Sequence, residues 1–306
     1  MSQRHQFRDG GFTVTTTRTA LGRALREAHP GASWNDVKRL LRSGKVWVDE
    51  QPACDPGMQL EPGAQVVVRM SGRPASRERA LVEIVFIDSQ LVVVNKPSGI
   101  STVPYDKDER DTLIERLQAV LRARHGSSRD ASLHVVHRID KETSGLLVFA
   151  RTQAALRILK HQFRLHTVQR RYEAVAHGLV KAVTLDSRLV PNRGDGLRGS
   201  TDNPRLGRRA ITHVRPMREL RDSTLVECRL ETGRTHQIRI HLAEAGHPLV
   251  GERVYQRRYR GTLIEAPRLM LHAATLGLRH PSREEDLLFE RPPPADFLAH
   301  VSALLA

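Results

Sequence analysis

Beyond residue 80 the chain is built from short apolar runs broken by polar, glycine-bearing stretches. The runs at 82–87, 91–94, 146–150, 172–177, 224–230 and 269–278 are short and β-rich, so they predict strands. Two segments between them carry a helical period. Leu113, Ile114, Leu117, Val120 and Leu121 form one apolar stripe, with Asp111 placed to cap it and Gly126 beyond its end. Ala155, Leu156, Leu159 and Phe163 form a second stripe behind Thr152 as the expected cap. Residues 192–209 are rich in Gly, Arg and Asp with no apolar period, which predicts a mobile surface insertion.

Residues 12–70 have a different texture. Leu21, Ala24, Leu25 and Ala28 mark one face of a short helix, and Ser33-Trp34-Asn35-Asp36 has capping-box spacing for another. That second helix sets Val37, Leu40 and Leu41 against Lys38 and Arg42, and Gly44 stops it; strands follow at 46–48 and 66–68. Ser, Gly, Pro and Arg at 71–77 read as a linker, which gives a small α+β module at 12–70, a linker at 71–80 and a larger mixed α/β (α+β) domain at 81–306.

Charge narrows the partners. With 49 Lys+Arg against 34 Asp+Glu the net charge is +15, which favours a polyanion, either nucleic acid or an acidic membrane surface. No apolar run approaches the ~18 residues that span a bilayer, and the polar first eleven residues lack a signal peptide's apolar centre. A cytoplasmic, RNA-directed protein with no membrane partner is expected. Cys54 and Cys228 stand far apart and fit neither a disulfide framework nor a zinc site, so reduced thiols are expected. Aromatic residues make up only 4% of the chain, so phosphate contacts and RNA shape should outweigh base stacking in recognition.

Candidate chemistry centres on His137-Arg138-Ile139-Asp140-Lys141-Glu142-Thr143-Ser144-Gly145-Leu146-Leu147-Val148, where a glycine-broken polar run sets Asp140 beside a buried strand. The segment resembles the catalytic signature of the RluA-type pseudouridine synthases, which convert uridine in RNA to its carbon-linked isomer. Three more stretches resemble that family in its order: Val93-Val94-Asn95-Lys96-Pro97-Ser98-Gly99-Ile100, Arg171-Tyr172-Glu173-Ala174-Val175, and Thr232-Gly233-Arg234-Thr235-His236-Gln237-Ile238-Arg239-Ile240-His241-Leu242. Four ordered blocks are far more specific than one short motif.

The resemblance implies a largely antiparallel mixed sheet with flanking helices and a central cleft. It also implies Asp140 as nucleophile, Arg239 as the active-site arginine, and Tyr172 against the uracil ring as the candidate for taking the C5 proton. A guanidinium beside Asp140 would oppose any rise of the carboxylate from its reference pKa of about 3.9. If Thr235 caps a helix, His236 and Arg239 share one face of it. A base inside folded RNA has to be flipped out before it can react, and Arg138 is placed to fill the space it leaves. Arg234 and His236 are expected to touch RNA, His137 is expected to be structural, and the turn after Lys96 is expected to be structural near the cleft.

The region 12–70 resembles the alpha-L RNA-binding module named after ribosomal protein S-four. Trp34-Asn35 stands where that family usually has Ser-Arg, and Val48-Asp49-Glu50 where it has Val-Asn-Gly. The resemblance makes Lys38, Arg39, Arg42 and Lys45 the expected RNA face, against the alternative of an ordinary solvated helix. In the large domain Ile139, Glu252 and Gln256 depart from the family's usual Leu, Asp and Gly, and none is expected to affect the chemistry. Family members with this extra module mostly modify large-subunit ribosomal RNA, so that is the favoured substrate over transfer RNA. No cofactor, nucleotide or metal is implied, and a monomer is expected. A non-catalytic assembly factor would explain the charge but not Asp140, Tyr172 and Arg239 together. A metal-dependent nuclease lacks its His-Glu-x-x-His or clustered carboxylates.

Overall fold

The computed structural model describes residues 7–14, 19–53, 56–70, 82–105, 109–125 and 132–305. The expected linker at 71–80 and Cys54 lie outside them. The chain divides into two compact units, one of Met1–Leu81 with Asp106–Glu109 and one of Val82–Tyr105 with Arg110–Ala306.

In the first unit the elements run β1 (Gly10–Thr13), β2 (Thr19–Ala20), α1 (Leu21–Ala28), α2 (Trp34–Arg42), β3 (Val46–Val48), β4 (Gln51–Pro52), β5 (Gln59–Leu60) and β6 (Gln65–Val68). An antiparallel sheet of order β1-β6-β3-β4 and a β2–β5 ribbon enclose one core with the two helices, centred on Leu21, Leu25, Val37, Leu41, Val46 and Val66. The capping box forms as the spacing requires: the Ser33 hydroxyl accepts from the Asp36 amide while the Asp36 carboxylate accepts from the Ser33 amide.

The second unit runs β7 (Glu83–Ile87), β8 (Leu91–Lys96), α3 (Leu113–His125), β9 (His134–Val135), β10 (Ser144–Ala150), α4 (Gln153–Arg164), β11 (Gln169–His177), β12 (Val183–Val190), β13 (Gly199–Thr201), β14 (Arg208–Leu220), β15 (Ser223–Leu230), α5 (Gln237–Glu244), β16 (Leu271–Arg279), β17 (Asp286–Glu290) and α6 (Ala295–Ala303). Its sheet has the order β13-β12-β14-β15-β11-β16-β10-β8-β7, with β17 against β16 and β9 against β10. Every pairing is antiparallel except β10 with β16.

The continuous apolar runs of β8, β10 and β16 are strands covered on both faces. Along β10, Leu147 and Phe149 join a core containing Leu113, Leu117 and Leu121 of α3, whereas Leu146, Val148 and Ala150 join another with Ala155 and Leu159 of α4. The period of two thus assigns one helix to each face. Gly145 sits at φ +116° where β10 meets β16, and a Cβ there would collide with the backbone of Ala273. Only glycine permits that approach.

Two expected helix caps differ. Thr152 caps α4 as the spacing suggests, accepting from the Ala155 amide at 3.1 Å. Asp111 does not cap α3: its carboxylate binds Arg116 through two nitrogens, while Thr112, next in sequence, donates its amide and hydroxyl to Glu115. The segment 192–209 is largely irregular and at the surface, as expected, but it is tied down: Asn192 and Asp195 fold its tip by accepting nearby backbone amides, β13 closes the sheet edge, and Ser200 donates to Glu244 at the end of α5. Polar partners do here what an apolar period does elsewhere.

Candidate active site

Asp140 lies on the loop between β9 and β10, and that loop is tied down from beneath. Ile139 is buried, and its carbonyl accepts the Thr102 hydroxyl at 3.0 Å. The Lys141 carbonyl accepts both the Gly99 amide at 2.8 Å and Lys96 Nζ at 3.0 Å, and the Glu142 carbonyl accepts the Ser98 hydroxyl. Lys96 is fully buried at the end of β8, where Nζ also donates to the carbonyls of Pro97 and Ile100. Burial pulls this ammonium down to about 7, against the opposing pull of Glu142 and Asp140. The block at 95–102 is therefore the clamp under the Asp140 loop. His137 is structural too: its ring stacks on Phe163 with centroids 4.5 Å apart, and Nε2 accepts from the Val148 amide.

From the other side α5 brings Arg239. Thr235 does not cap this helix; the capping position is His236, in the left-handed region at φ +58° and with no side-chain cap. Gln237 organises the turn instead. Its Oε1 accepts the Thr232 hydroxyl and the Arg234 amide, and its Nε2 donates to the Ile211 carbonyl and Thr212 Oγ1. Ile238, Ile240 and Leu242 are buried, which holds the helix against the sheet.

Arg239 makes its closest contacts with Glu252, donating Nε and Nη2 to the two carboxylate oxygens at 2.7 Å each. Its Nη1 lies 3.8 Å from Asp140 Oδ2, a longer ion pair than the one with Glu252. Burial works against the charge of Arg239, but Glu252 first and Asp140 next hold the guanidinium above its usual value. Burial likewise opposes the Glu252 carboxylate, but the hydrogen bonds and charge of Arg239 together with the nearby backbone amides leave its pKa lowered. Position 252 was expected not to affect the chemistry, yet Glu252 accepts from Arg239 and from the amides of Arg253 and Val254, and so sets where the Arg239 guanidinium lies.

His236 Nε2 is 3.9 Å from Asp140 Oδ1, and its Nδ1 is 2.7 Å from the Tyr255 hydroxyl. Burial lowers the imidazole below its ordinary value despite the attraction of Asp140, so it is neutral at pH 7. Tyr172 projects from β11 into the same core cluster as Ile139 and Ile238, and burial pushes its hydroxyl up to about 12 while Arg170 pulls the other way.

These groups line one cleft of about 570 Å³. Asp140 is its one carboxylate among the described residues, set among Arg138, Lys160, Arg164, Arg170, Arg234 and Arg239. Arg138 is exposed at the cleft, and Arg234 donates Nε to the Arg209 carbonyl. Lys38, Arg39 and Lys45 belong to the first unit, where Arg39 pairs with Asp36 and Lys45 donates to the Met70 carbonyl; the Arg42 side chain lies outside the described residues. Sequence reasoning missed Glu252, Tyr255 and Arg170. A buried arginine requires a carboxylate, which pointed to the acidic residue after Gly251, and Arg170 shares the Tyr172 face of β11 by simple alternation.

Among the described residues no His, Cys, Asp and Glu cluster could hold a metal, and no helix is long and apolar enough to cross a membrane. The family model for RNA pseudouridylate synthase matches residues 90–244. An uncharacterised RNA pseudouridine synthase of Bacillus subtilis is 36% identical over 86% of this chain and 87% of its own. Ribosomal large subunit pseudouridine synthase D of Zymomonas mobilis is 36% identical over 92% of this chain and 94% of its own, and its namesake from Nitrosomonas europaea is 38% identical over 93% and 84%. Among solved structures, human RNA pseudouridylate synthase domain containing 4 superposes with a TM-score of 0.60 at 25% identity, covering 72% of this chain and 92% of that one.

Proposed function

The chain belongs to the RNA pseudouridylate synthase family, RluA type, and from that premise we propose how its cleft turns uridine into pseudouridine. Asp140 acts on the nucleotide directly, by attack at C1′ or by removal of the 2′ proton. In either route the bond between uracil N1 and C1′ opens, the base turns, a new bond joins C5 to C1′, C5 loses its proton and N1 gains one. The atoms of the product equal those of the substrate, so no cofactor enters the balance.

Arg239 orients Asp140, because the two hydrogen bonds to Glu252 leave its guanidinium little freedom to swing away. Tyr172 faces the base. A hydroxyl held near 12 starts as a phenol, so it takes the C5 proton only while passing its own on. Arg138, exposed at the cleft, fills the stack after the uridine flips, and Arg234 and His236 contact the RNA beside it. Residues 12–70 add a second RNA contact through Lys38 and its basic neighbours.

Large-subunit ribosomal RNA is the substrate that the names of the relatives and the basic N-terminal module favour. A monomer acting in the cytoplasm suits that substrate. The observation carrying the reading is that the one carboxylate of a cation-walled cleft stands 3.8 Å from an arginine already fixed by a second carboxylate. Large-subunit RNA labelled with tritium at uracil C5 tests it. Release of tritium, undiminished by a chelator, is the expected result; strand cleavage, or binding with no release, overturns it.

A further inference from the structure

Arg170 is buried in the cleft wall with no carboxylate partner among the described residues. Its Nη2 donates to the Glu231 carbonyl at 2.8 Å, and its Cζ lies 5.4 Å from the centre of the Phe163 ring. Nε is buried with no hydrogen-bond partner, and Nη1 makes no hydrogen bond among the described residues. A buried donor left unsatisfied costs free energy, and a buried cation without a counter-charge costs more. Thr143 Oγ1 is another such orphan, and Thr143 lines the same cleft. Nη1 is thus the guanidinium nitrogen left for a polar partner that arrives with the ligand.

The surroundings hold the guanidinium there. A Cβ on Gly233 would come within 2.5 Å of Arg170 Nη1, so the bare Cα of Gly233 is what makes room for it. Gly233 and Arg170 both line the cleft with Tyr172 and Asp140, and Arg170 and Tyr172 alternate onto the same face of β11.

Accepting that the cleft takes the target uridine, as proposed above, we infer that Arg170 is a further catalytic residue, donating to a uracil carbonyl and stabilising the base as it leaves the ribose. When the N1–C1′ bond opens, its electron pair passes into the ring, and the negative charge spreads over N1, O2 and O4. A fixed guanidinium beside one of those oxygens stabilises that charge more than the neutral ground-state carbonyl. The charge is consumed when C5 bonds to C1′, C5 loses its proton and N1 is reprotonated. Arg170 itself neither gains nor loses a proton.

The test uses ribosomal RNA fragments carrying uridine, 2-thiouridine or 4-thiouridine at the modified position, since a thiocarbonyl accepts hydrogen bonds weakly. Enzyme in excess gives single-turnover rates for the parent, Arg170→Gln, Arg170→Lys and Gly233→Ala, with RNA affinity measured beside each. Arg170→Gln is expected to lose about 10²-fold in rate at nearly unchanged affinity, with Arg170→Lys recovering part. Gly233→Ala, which keeps the charge and displaces it, should also slow turnover. One thio substitution should slow the parent and leave Arg170→Gln unaffected, because both changes remove the same contact. A parent-like rate in Arg170→Gln, or thio effects equal in parent and variant, overturns the inference. If Asp140→Asn is inactive in the same assay, Arg170 alone was misassigned; if Asp140→Asn also turns over, the reading of the cleft fails with it.

Discussion

Glu252 and Arg239 form a two-pronged pair of 2.7 Å hydrogen bonds, and that pair leaves a single guanidinium nitrogen, 3.8 Å away, for Asp140. The position of Arg239 is therefore decided by a residue outside the helix that carries it. Removing one partner of a buried pair strands the other charge, at a cost of about 3–5 kcal/mol. Glu252→Gln should lower the urea midpoint and slow turnover with little change in RNA affinity, and Glu252→Asp should be milder. The sign with pH follows from the lowered Glu252 pKa: its contribution is present above the ordinary glutamate value and is lost as pH falls through the folded one. Urea curves of parent and Glu252→Gln should thus converge in acid; a constant gap down to pH 3 contradicts the pairing.

Asp140→Asn should abolish turnover and leave RNA affinity within about threefold, since an amide keeps the shape and loses the proposed nucleophile. Tritium release and filter binding on one preparation read both. Residual turnover contradicts the assignment.

Tyr172→Phe removes a hydroxyl that has no hydrogen-bond partner among the described residues, so the melting temperature should hardly move. Release of the C5 proton should slow by about 10²-fold if that hydroxyl takes it. An unchanged release rate would return Tyr172 to packing alone.

Lys96→Met unties the clamp beneath the Asp140 loop by removing the Nζ donor of three carbonyl groups, of which only that of Lys141 keeps a further donor described above, the Gly99 amide. With the folded value near 7 and the unfolded one near 10.5, the unfolded chain holds more protons in between. The parent's stability relative to the variant should therefore rise from pH 7 towards pH 10, by at most about 1.4 kcal/mol per pH unit. Urea midpoints at pH 7, 8 and 9 measure it, and a flat difference means the ammonium stays charged when folded.

Lys38 stands exposed on α2, whereas Arg39 and Lys45 are committed to Asp36 and to the Met70 carbonyl. Lys38→Gln should reduce the salt slope of RNA binding by about one, and Lys45→Gln should chiefly lower the stability of its own unit. A slope unchanged by Lys38→Gln returns that face to solvent.

The six strands of the large unit expected from apolar runs all exist, and the clearest of them, β8, β10 and β16, are covered on both faces and so show themselves as unbroken apolar stretches. The strands at β12, β14 and β17 were missed for the converse reason: they carry exposed polar positions and charged ends, so no run forms. The capping box at Ser33 and the cap at Thr152 were legible since a cap is a contact over three residues. At α5 the same rule failed, because Gln237 finds its partners at Ile211 and Thr212, across the sheet.

Sequence by itself determined the local chemistry: that the long apolar runs form strands, that Asp140, Tyr172 and Arg239 sit in motifs of one family, and that the charge favours a polyanionic partner. Tertiary structure alone decided that Glu252 holds Arg239, that the 192–209 segment is stitched to α5, and that Arg170 lies buried beside Tyr172 with no carboxylate partner among the described residues. The reason is the order of the strands in space. β11 lies between β15 and β16, and β10 runs parallel to β16 over one hundred residues downstream, so the cleft is assembled from segments whose pairing no local period encodes.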